Sequence, residues 1–142
     1  YFLSGLDESA SNVWMSHFLV ELPQPVNTVK EALEMLKPPQ VIEAEARGAV
    51  VLRQGEYFFV PTGSTPLRGA VGVEKLVYLP KRDPSLPLRH NVTRLKVKDG
   101  VMYARGTARH IRGEHRMVKL DGWHTVWENM AVHSWAAQGK VD

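Results

Sequence analysis

The stretch that decides the fold runs from His90 to His110 and reads HNVTRLKVKDGVMYARGTARH. Two segments of alternating polar and apolar residues flank the dipeptide Asp99-Gly100. Asp-Gly is a strong signal for a two-residue type I′ turn, because both central residues of that turn need a positive φ. The sequence therefore predicts an antiparallel β-hairpin, and so short a turn fixes which residues face each other.

The predicted register gives the hairpin one apolar face and one basic face. Leu95 lies opposite Ala104 on the face expected to pack on the core. The basic face is expected to hold His90, Arg94, Lys96, Lys98, Tyr103, Arg105 and Arg109. On it Arg94 is opposite Arg105, and like charges paired across strands are unfavourable. A bound anion would relieve this repulsion; the alternative is that both side chains extend into water.

A second Asp-Gly dipeptide, Asp121-Gly122, predicts a second hairpin by the same reasoning. Its register would place Lys119 opposite His124 and His115 opposite Glu128. An imidazole beside a carboxylate has an oriented ring and a raised pKa, as catalytic histidines require. The alternative is an ordinary polar pair across two strands. In the predicted register, His110 falls on the opposite face of the first hairpin from His90.

The upstream sequence predicts a strand followed by two short helices. WMSHFLVEL, residues 14–22, alternates like a strand. Thr28 and Glu31 form a capping box that starts one helix, and Pro39 starts another that Gly48 ends. Two further strands are expected on either side of Gln54-Gly55. The fold class is therefore predicted to be α+β, with an N-terminal strand and two short helices packed on a mainly antiparallel sheet with two C-terminal Asp-Gly hairpins.

Composition limits the classes of protein to which the chain can belong. Its 142 residues are 44% hydrophobic, which predicts one globular domain spanning residues 1–142. The sequence has no cysteine, which excludes disulfides, thiolate metal sites and thiol nucleophiles and favours a cytoplasmic location. No apolar run approaches the roughly 20 residues of a membrane span, and the N-terminal segment is not a signal peptide, so no membrane association is predicted.

Positive charge is concentrated in one region of the chain. Residues 81–119 hold eleven Lys and Arg against three acidic residues, whereas the whole chain has a formal net charge of +3. Such a patch is typical of a surface that faces a polyanion. A solvated face with counter-ions would have the same composition.

These features favour a protein that binds nucleic acid through a basic, histidine-bearing β-ribbon. The same residues fit metal-independent cleavage of nucleic acid, with RNA favoured over DNA as the substrate. Cleavage without a metal needs an acid, a base and cations around the phosphate. The candidate catalytic residues are His90, Arg109, His115 and His124. The candidate nucleic-acid-binding residues are Arg94, Lys96, Lys98, Tyr103, Arg105 and Arg112. The alternative is a non-catalytic protein linked to a phage or mobile element that binds a host protein.

No metal or cofactor is predicted from the sequence. The histidines match no recognised metal signature, such as His-Glu-x-x-His. With His90 and His110 expected on opposite faces, a cage built from all the histidines of the C-terminal third is disfavoured. P-loop nucleotide chemistry and the serine-hydrolase elbow are also excluded, because their glycine motifs are missing from the sequence.

Two segments carry a family resemblance. RQGEYFFVP, residues 53–61, and the later pattern YARGTARH, EH and WHTVWEN, within residues 103–129, resemble a family of uncharacterised proteins from bacteria and their phages. The opening FLSGLDE and the ELP and LKP segments are similar too, so the resemblance covers most of the chain. It implies a single domain and supplies no mechanism or catalytic residue.

Overall fold

The computed structural model describes residues 1–7, 16–63, 69–73, 76–113, 115–131 and 134–137. The α+β class is confirmed, with two helices and ten strands in these residues. In chain order the elements are β1 (Phe2–Asp7), β2 (Ser16–Glu21), α1 (Val29–Met35), α2 (Pro39–Ala46), β3 (Leu52–Gln54), β4 (Tyr57–Pro61), β5 (Val71–Val73), β6 (Val77–Tyr78), β7 (His90–Lys98), β8 (Val101–His110), β9 (Val118–Glu128) and β10 (Ser134–Ala137).

The strands form two antiparallel sheets. The larger has seven strands in the order β3-β4-β9-β8-β7-β5, with β6 also paired to β7. The smaller has the order β1-β2-β10. None of the helices in the described ranges has the length and apolar character needed to span a membrane.

The local signals for the helices are confirmed. The Thr28 hydroxyl accepts a hydrogen bond from the Glu31 amide, and the Glu31 carboxylate accepts one from the Thr28 amide, so α1 begins with the predicted capping box. Helix α2 begins at Pro39, as predicted, and Gly48 follows it with a φ of 78°. Both helices bury a small apolar face, through Ala32 in α1 and Ala44 in α2.

The hairpin at Asp99-Gly100 is confirmed near its turn. Lys96 pairs with Tyr103 and Arg94 with Arg105, as the two-residue turn requires. Both turn residues have positive φ, 50° at Asp99 and 76° at Gly100.

Beyond Arg94 the predicted register is wrong, because β8 contains a β-bulge. Arg94 pairs with Arg105 but Val92 pairs with Ala108, so Gly106 and Thr107 together face the single residue Thr93. Gly106 has a φ of 97°, and an added Cβ there would lie 2.8 Å from the Thr93 Cβ. The position therefore suits only glycine.

The bulge changes which residue lies opposite His90. His90 pairs with His110 and not with Arg109, which pairs with Asn91 instead. Directly paired residues of two antiparallel strands project from the same face, so His90 and His110 lie side by side, as Val92 and Ala108 do. Both histidines are buried, so the expectation that they lie on opposite faces is wrong.

The predicted hairpin at Asp121-Gly122 is also wrong. These residues lie inside β9, a continuous strand that pairs with β4 on one side and β8 on the other. Gly122, whose φ is 88°, lies in a second irregularity of the strand pairing. There Asp121, Gly122 and Trp123 together face the single residue Arg105. The expected pairs of Lys119 with His124 and of His115 with Glu128 therefore do not form. Pairing with two neighbouring strands outweighs the local turn preference.

Candidate metal centre

Three histidines of the large sheet and its connecting loop lie together. His90, His110 and His115 each offer one ring nitrogen, and these nitrogens all lie within 4.8 Å of one another. The ring centroids of His90 and His110 are 4.7 Å apart, and those of His110 and His115 are 5.1 Å apart. We call these three side chains the imidazole cluster.

Each histidine reaches the cluster by a local feature of the backbone. His90 begins β7 and His110 ends β8, and the bulge at Gly106 puts them opposite each other on one face. The chain then reverses at once, since the Gly113 amide donates a hydrogen bond to the His110 carbonyl at 3.0 Å. This turn returns His115 to the cluster, where its ring stacks parallel to that of His90 at 5.8 Å.

His90 is the most buried member of the cluster, with 2% of its surface exposed. Among the residues that the structure describes, neither of its ring nitrogens has a hydrogen-bond partner. Leaving a buried polar group unpaired costs about 1–3 kcal/mol, so this is an unusual state for a histidine. A ligand in the cluster would remove the penalty.

The two nitrogens of His90 face different groups. Nδ1 lies 3.4 Å from Oε1 of Glu56, within ion-pairing distance but not aligned as a hydrogen bond, and the same oxygen lies 2.8 Å from Nζ of Lys81. Nε2 points to the cluster: an added Cβ at Gly55 would lie 2.9 Å from Nε2 of His90 and 3.1 Å from Nε2 of His115. The Nε2 atoms of both histidines thus converge beside the Gly55 backbone.

The protonation states in this region are strongly affected by burial. Burial lowers the pKa of His110 to about 4, helped by the neighbouring His90, His115 and Arg89 and opposed by Glu56. Burial alone would raise the pKa of Glu56, but its contacts with His90 and Lys81 outweigh this and hold that pKa well below its usual range. Burial, together with Glu56 and Glu128, raises the pKa of Tyr57. A neutral His110 is the form that can bind a metal ion.

The remaining predicted catalytic residues lie outside the imidazole cluster. His124 is buried opposite Ala104, with its Nδ1 3.3 Å from the Gly122 carbonyl oxygen. Arg109 is exposed, and its Nε lies 3.2 Å from Sδ of Met117. The structure therefore brings His90 and His115 together and leaves His124 and Arg109 elsewhere.

The predicted nucleic-acid-binding residues mostly lie at the other end of the hairpin, near the Asp99-Gly100 turn. We call Arg94, Lys96, Lys98, Tyr103 and Arg105 the basic ribbon. Arg94 and Arg105 are exposed and directly opposed, and no carboxylate of the described residues forms an ion pair with either. Lys96 Nζ lies 5.3 Å from the Trp123 ring centroid, a cation–π contact. Arg112, the other predicted residue, is exposed in the loop after β8.

Sequence reasoning missed His110 as a partner of His90 and also missed Gly55, Glu56 and Lys81. Gly106 was the available signal for the first, because a glycine inside a strand pattern often marks a bulge. Gly55 and Glu56 are distant from the histidines in sequence, and only the paired strands bring them together, whereas Lys81 lies in the connection between β6 and β7.

Comparison with known proteins found no counterpart. No protein-family model matches the sequence, and neither the curated proteins nor the solved structures that were searched contain a match. The function must be argued from the geometry.

Proposed function

We propose that the protein binds a zinc-class divalent metal ion through His90, His110 and His115. The observation that carries this proposal is the convergence of three ring nitrogens within 4.8 Å, one of them on a fully buried histidine without hydrogen-bond partners. Nitrogens that share a tetrahedral zinc ion, at 2.0–2.1 Å each, are about 3.4 Å apart. The imidazoles would close on the ion by roughly an ångström, mostly through rotation of the partly exposed His115.

The donor set identifies the class of metal. Imidazole suits zinc, copper, nickel and iron, whereas magnesium and calcium prefer oxygen ligands. The contact of His90 with Glu56 has the arrangement found around zinc, where a ligating histidine directs its second nitrogen at a carboxylate. Catalytic zinc sites keep three protein ligands and one position for water or substrate. Three imidazoles, with His115 half-buried, match that arrangement and would give a Lewis-acid centre.

The test is metal binding by the 142-residue chain and by variants of each ligand. Metal-free protein is dialysed against Zn²⁺ and its bound metal measured by elemental analysis, and Co²⁺ is added to record the absorption spectrum of the site. We expect one ion per chain, and at least a hundredfold weaker binding for His90→Asn, His110→Asn and His115→Asn.

His124→Asn is the matched control, because His124 is a buried histidine of the same sheet outside the cluster. It should retain full metal binding. A wild-type protein that binds no zinc, copper or nickel ion would refute the proposal, and so would binding that survives all three ligand substitutions.

The basic ribbon favours a second function, the binding of nucleic acid. If the protein also acts as an enzyme on this ligand, the reaction would be cleavage of RNA. The specific observation is the exposed Arg94 opposite Arg105, a like-charge pair that a bound phosphate would neutralise. Lys96 and Tyr103 extend the same face. The ribbon and the imidazole cluster lie at opposite ends of the hairpin, so nucleic-acid binding by the ribbon does not require the metal.

Fluorescence anisotropy with labelled single-stranded RNA and DNA tests this second function. Binding through n phosphates should weaken with salt with a slope of about −0.7n on logarithmic axes. The double variant Arg94→Ser/Arg105→Ser should lose about 1.4 units of that slope, 0.7 for each phosphate contact, whereas Arg47→Ser, an exposed arginine of the helical region, should change nothing. Gel analysis with and without EDTA separates cleavage from binding. No detectable binding at low salt would refute it, and binding of a host protein would then be the remaining prediction.

A further inference from the structure

We infer that the four-residue segment Arg53-Gln54-Gly55-Glu56 is the outer shell of the metal centre, positioning its ligands without contacting the ion. The inference rests on the proposed metal function and assigns a role to the RQGE sequence, which lies 34 residues or more before the first ligand. The segment comprises the last two residues of β3 and the two-residue turn to β4, and each of its residues makes a different contact.

Glu56 sets which nitrogen of His90 is available. Its Oε1 lies 3.4 Å from Nδ1 of His90, and Lys81 at 2.8 Å holds the carboxylate in place. A carboxylate at Nδ1 favours the proton on that nitrogen and leaves the Nε2 lone pair for the metal. The backbone carbonyl of Glu56 accepts a hydrogen bond from the Asn129 amide at 2.8 Å, which fixes the residue against the end of β9.

Gln54 fastens the two chain segments that carry the other ligands. The side chain is buried, and its Nε2 donates to the Ala108 carbonyl at 3.1 Å and to the Arg116 carbonyl at 2.7 Å. Ala108 lies two residues before His110, and Arg116 directly follows His115. One amide group therefore sets the separation between these two histidines.

Gly55 provides the space in which the imidazoles meet. Its φ is 57°, and an added Cβ would lie 2.9 Å from Nε2 of His90 and 3.1 Å from Nε2 of His115. Any side chain at this position would occupy the point where both nitrogens converge. Arg53 supports the turn from outside, since its Nε donates to the Gly55 carbonyl at 2.9 Å and its guanidinium lies over the Phe58 ring.

The experiment compares the Zn²⁺ affinity of the wild-type chain with the affinities of three variants, Gln54→Met, Gly55→Ala and Glu56→Gln. Each affinity is measured by competition with a chromophoric chelator. Loss of an outer-shell partner weakens metal affinity by about 10- to 100-fold, and we expect this for each variant. The Co²⁺ absorption spectrum should also shift, because the ligand geometry changes; loss of stability alone would not shift it. Glu56→Asp should recover part of the affinity.

The matched control for Gly55→Ala is Gly100→Ala. Gly100 is also a hairpin-turn glycine with positive φ, 76°, but nothing lies within 4 Å of its added Cβ. It should bind zinc like the wild type. Should Gly55→Ala fail to fold, Gln54→Met and Glu56→Gln decide the matter.

The outcomes separate this inference from the function on which it rests. A wild type that binds zinc through the three histidines, with turn variants of unchanged affinity and spectrum, would overturn the outer-shell role alone. A wild type without metal binding would overturn the proposed function and the outer shell together.

Discussion

The two ends of the β7–β8 hairpin carry nitrogen-rich side chains whose positions depend on different features of the chain. The basic ribbon lies near the Asp99-Gly100 turn, and its register follows from that turn alone. The imidazole cluster lies at the far end, past the bulge at Gly106, and draws its third member from the following loop. Arg94 and Arg105 of the ribbon are exposed, so water screens the repulsion between them. His90 and His110 of the cluster are buried, so a charge there is costly unless it is paired.

The largest expected effect comes from removing the bulge. Gly106→Ala forces a left-handed backbone on alanine and pushes its Cβ against Thr93, so we expect a loss of about 2–4 kcal/mol of unfolding free energy. Zinc binding should fall with it, since His90 and His110 lose their shared face, while the pairing of Arg94 with Arg105 should remain. Urea unfolding and zinc titration measure the two effects. Gly122→Ala, at an open positive-φ position, is the control; equal zinc affinity in both variants would contradict the role of the bulge.

Zinc bound to the cluster should raise the free energy of unfolding, and a substitution in the ribbon should not change this effect. At a free Zn²⁺ concentration of 100 times Kd, binding to the native state adds about 2.7 kcal/mol. Differential scanning fluorimetry should show a zinc-dependent rise in Tm for wild type and for Arg94→Ser, and none for His90→Asn. A similar rise in His90→Asn would mean that zinc binds elsewhere.

Acid should destabilise the metal-free protein through the cluster. The pKa of His110 is about 4 in the folded chain, against 6.5 for an unperturbed histidine. The unfolded state therefore binds more protons between these values, and stability falls as the pH drops from 6.5 towards 4. We expect a loss of the order of 1–2 kcal/mol between pH 7 and pH 5 from this residue, which faces His90, His115, Glu56 and Arg89.

Urea midpoints of EDTA-treated protein at the two pH values test the acid effect. His110→Asn should flatten the dependence, whereas Arg105→Ser in the ribbon should leave it unchanged. The same slope in His110→Asn would assign the acid sensitivity to another group.

The smallest effect is expected in the ribbon. Arg105→Glu replaces a repulsive cross-strand pair with an attractive one, worth about 0.2–1 kcal/mol. Stability should rise slightly, zinc affinity should not change, and RNA affinity should fall. Equilibrium unfolding at low and high salt measures the change in stability, and the gain in stability should shrink in high salt. Unchanged RNA binding would show that the ribbon is not the nucleic-acid surface.

Local sequence signals predicted those parts of the fold that neighbouring residues determine. The Thr28 capping box, the Pro39 start of α2 and the Asp99-Gly100 turn each depend on a few adjacent residues. Asp121-Gly122 carries the same turn signal, yet pairing of β9 with both β4 and β8 keeps the chain extended there. Local propensity decides a turn only where no long-range pairing competes.

The candidate site was predicted only in part for the same reason. His90 and His115 were recognised as functional candidates, but their grouping with His110 depends on one extra residue in β8. Glu56 and Gly55 reach the histidines through β4, which pairs with β9 across the sheet. A one-residue change of register inverts every later side chain, so a periodic pattern cannot locate a site that lies beyond a bulge.

The separation of the three histidines along the chain has a mechanical consequence. His90 and His115 lie 25 residues apart in a protein without cysteine. An ion held by both would close this segment, with the whole β7–β8 hairpin inside it, into a covalent-like ring. The ligands meet only when the hairpin is folded, so the ion would add its binding free energy to the folded state. Unfolding of the hairpin and release of the ion would then occur together, so the metal would act as a cross-link in this sheet.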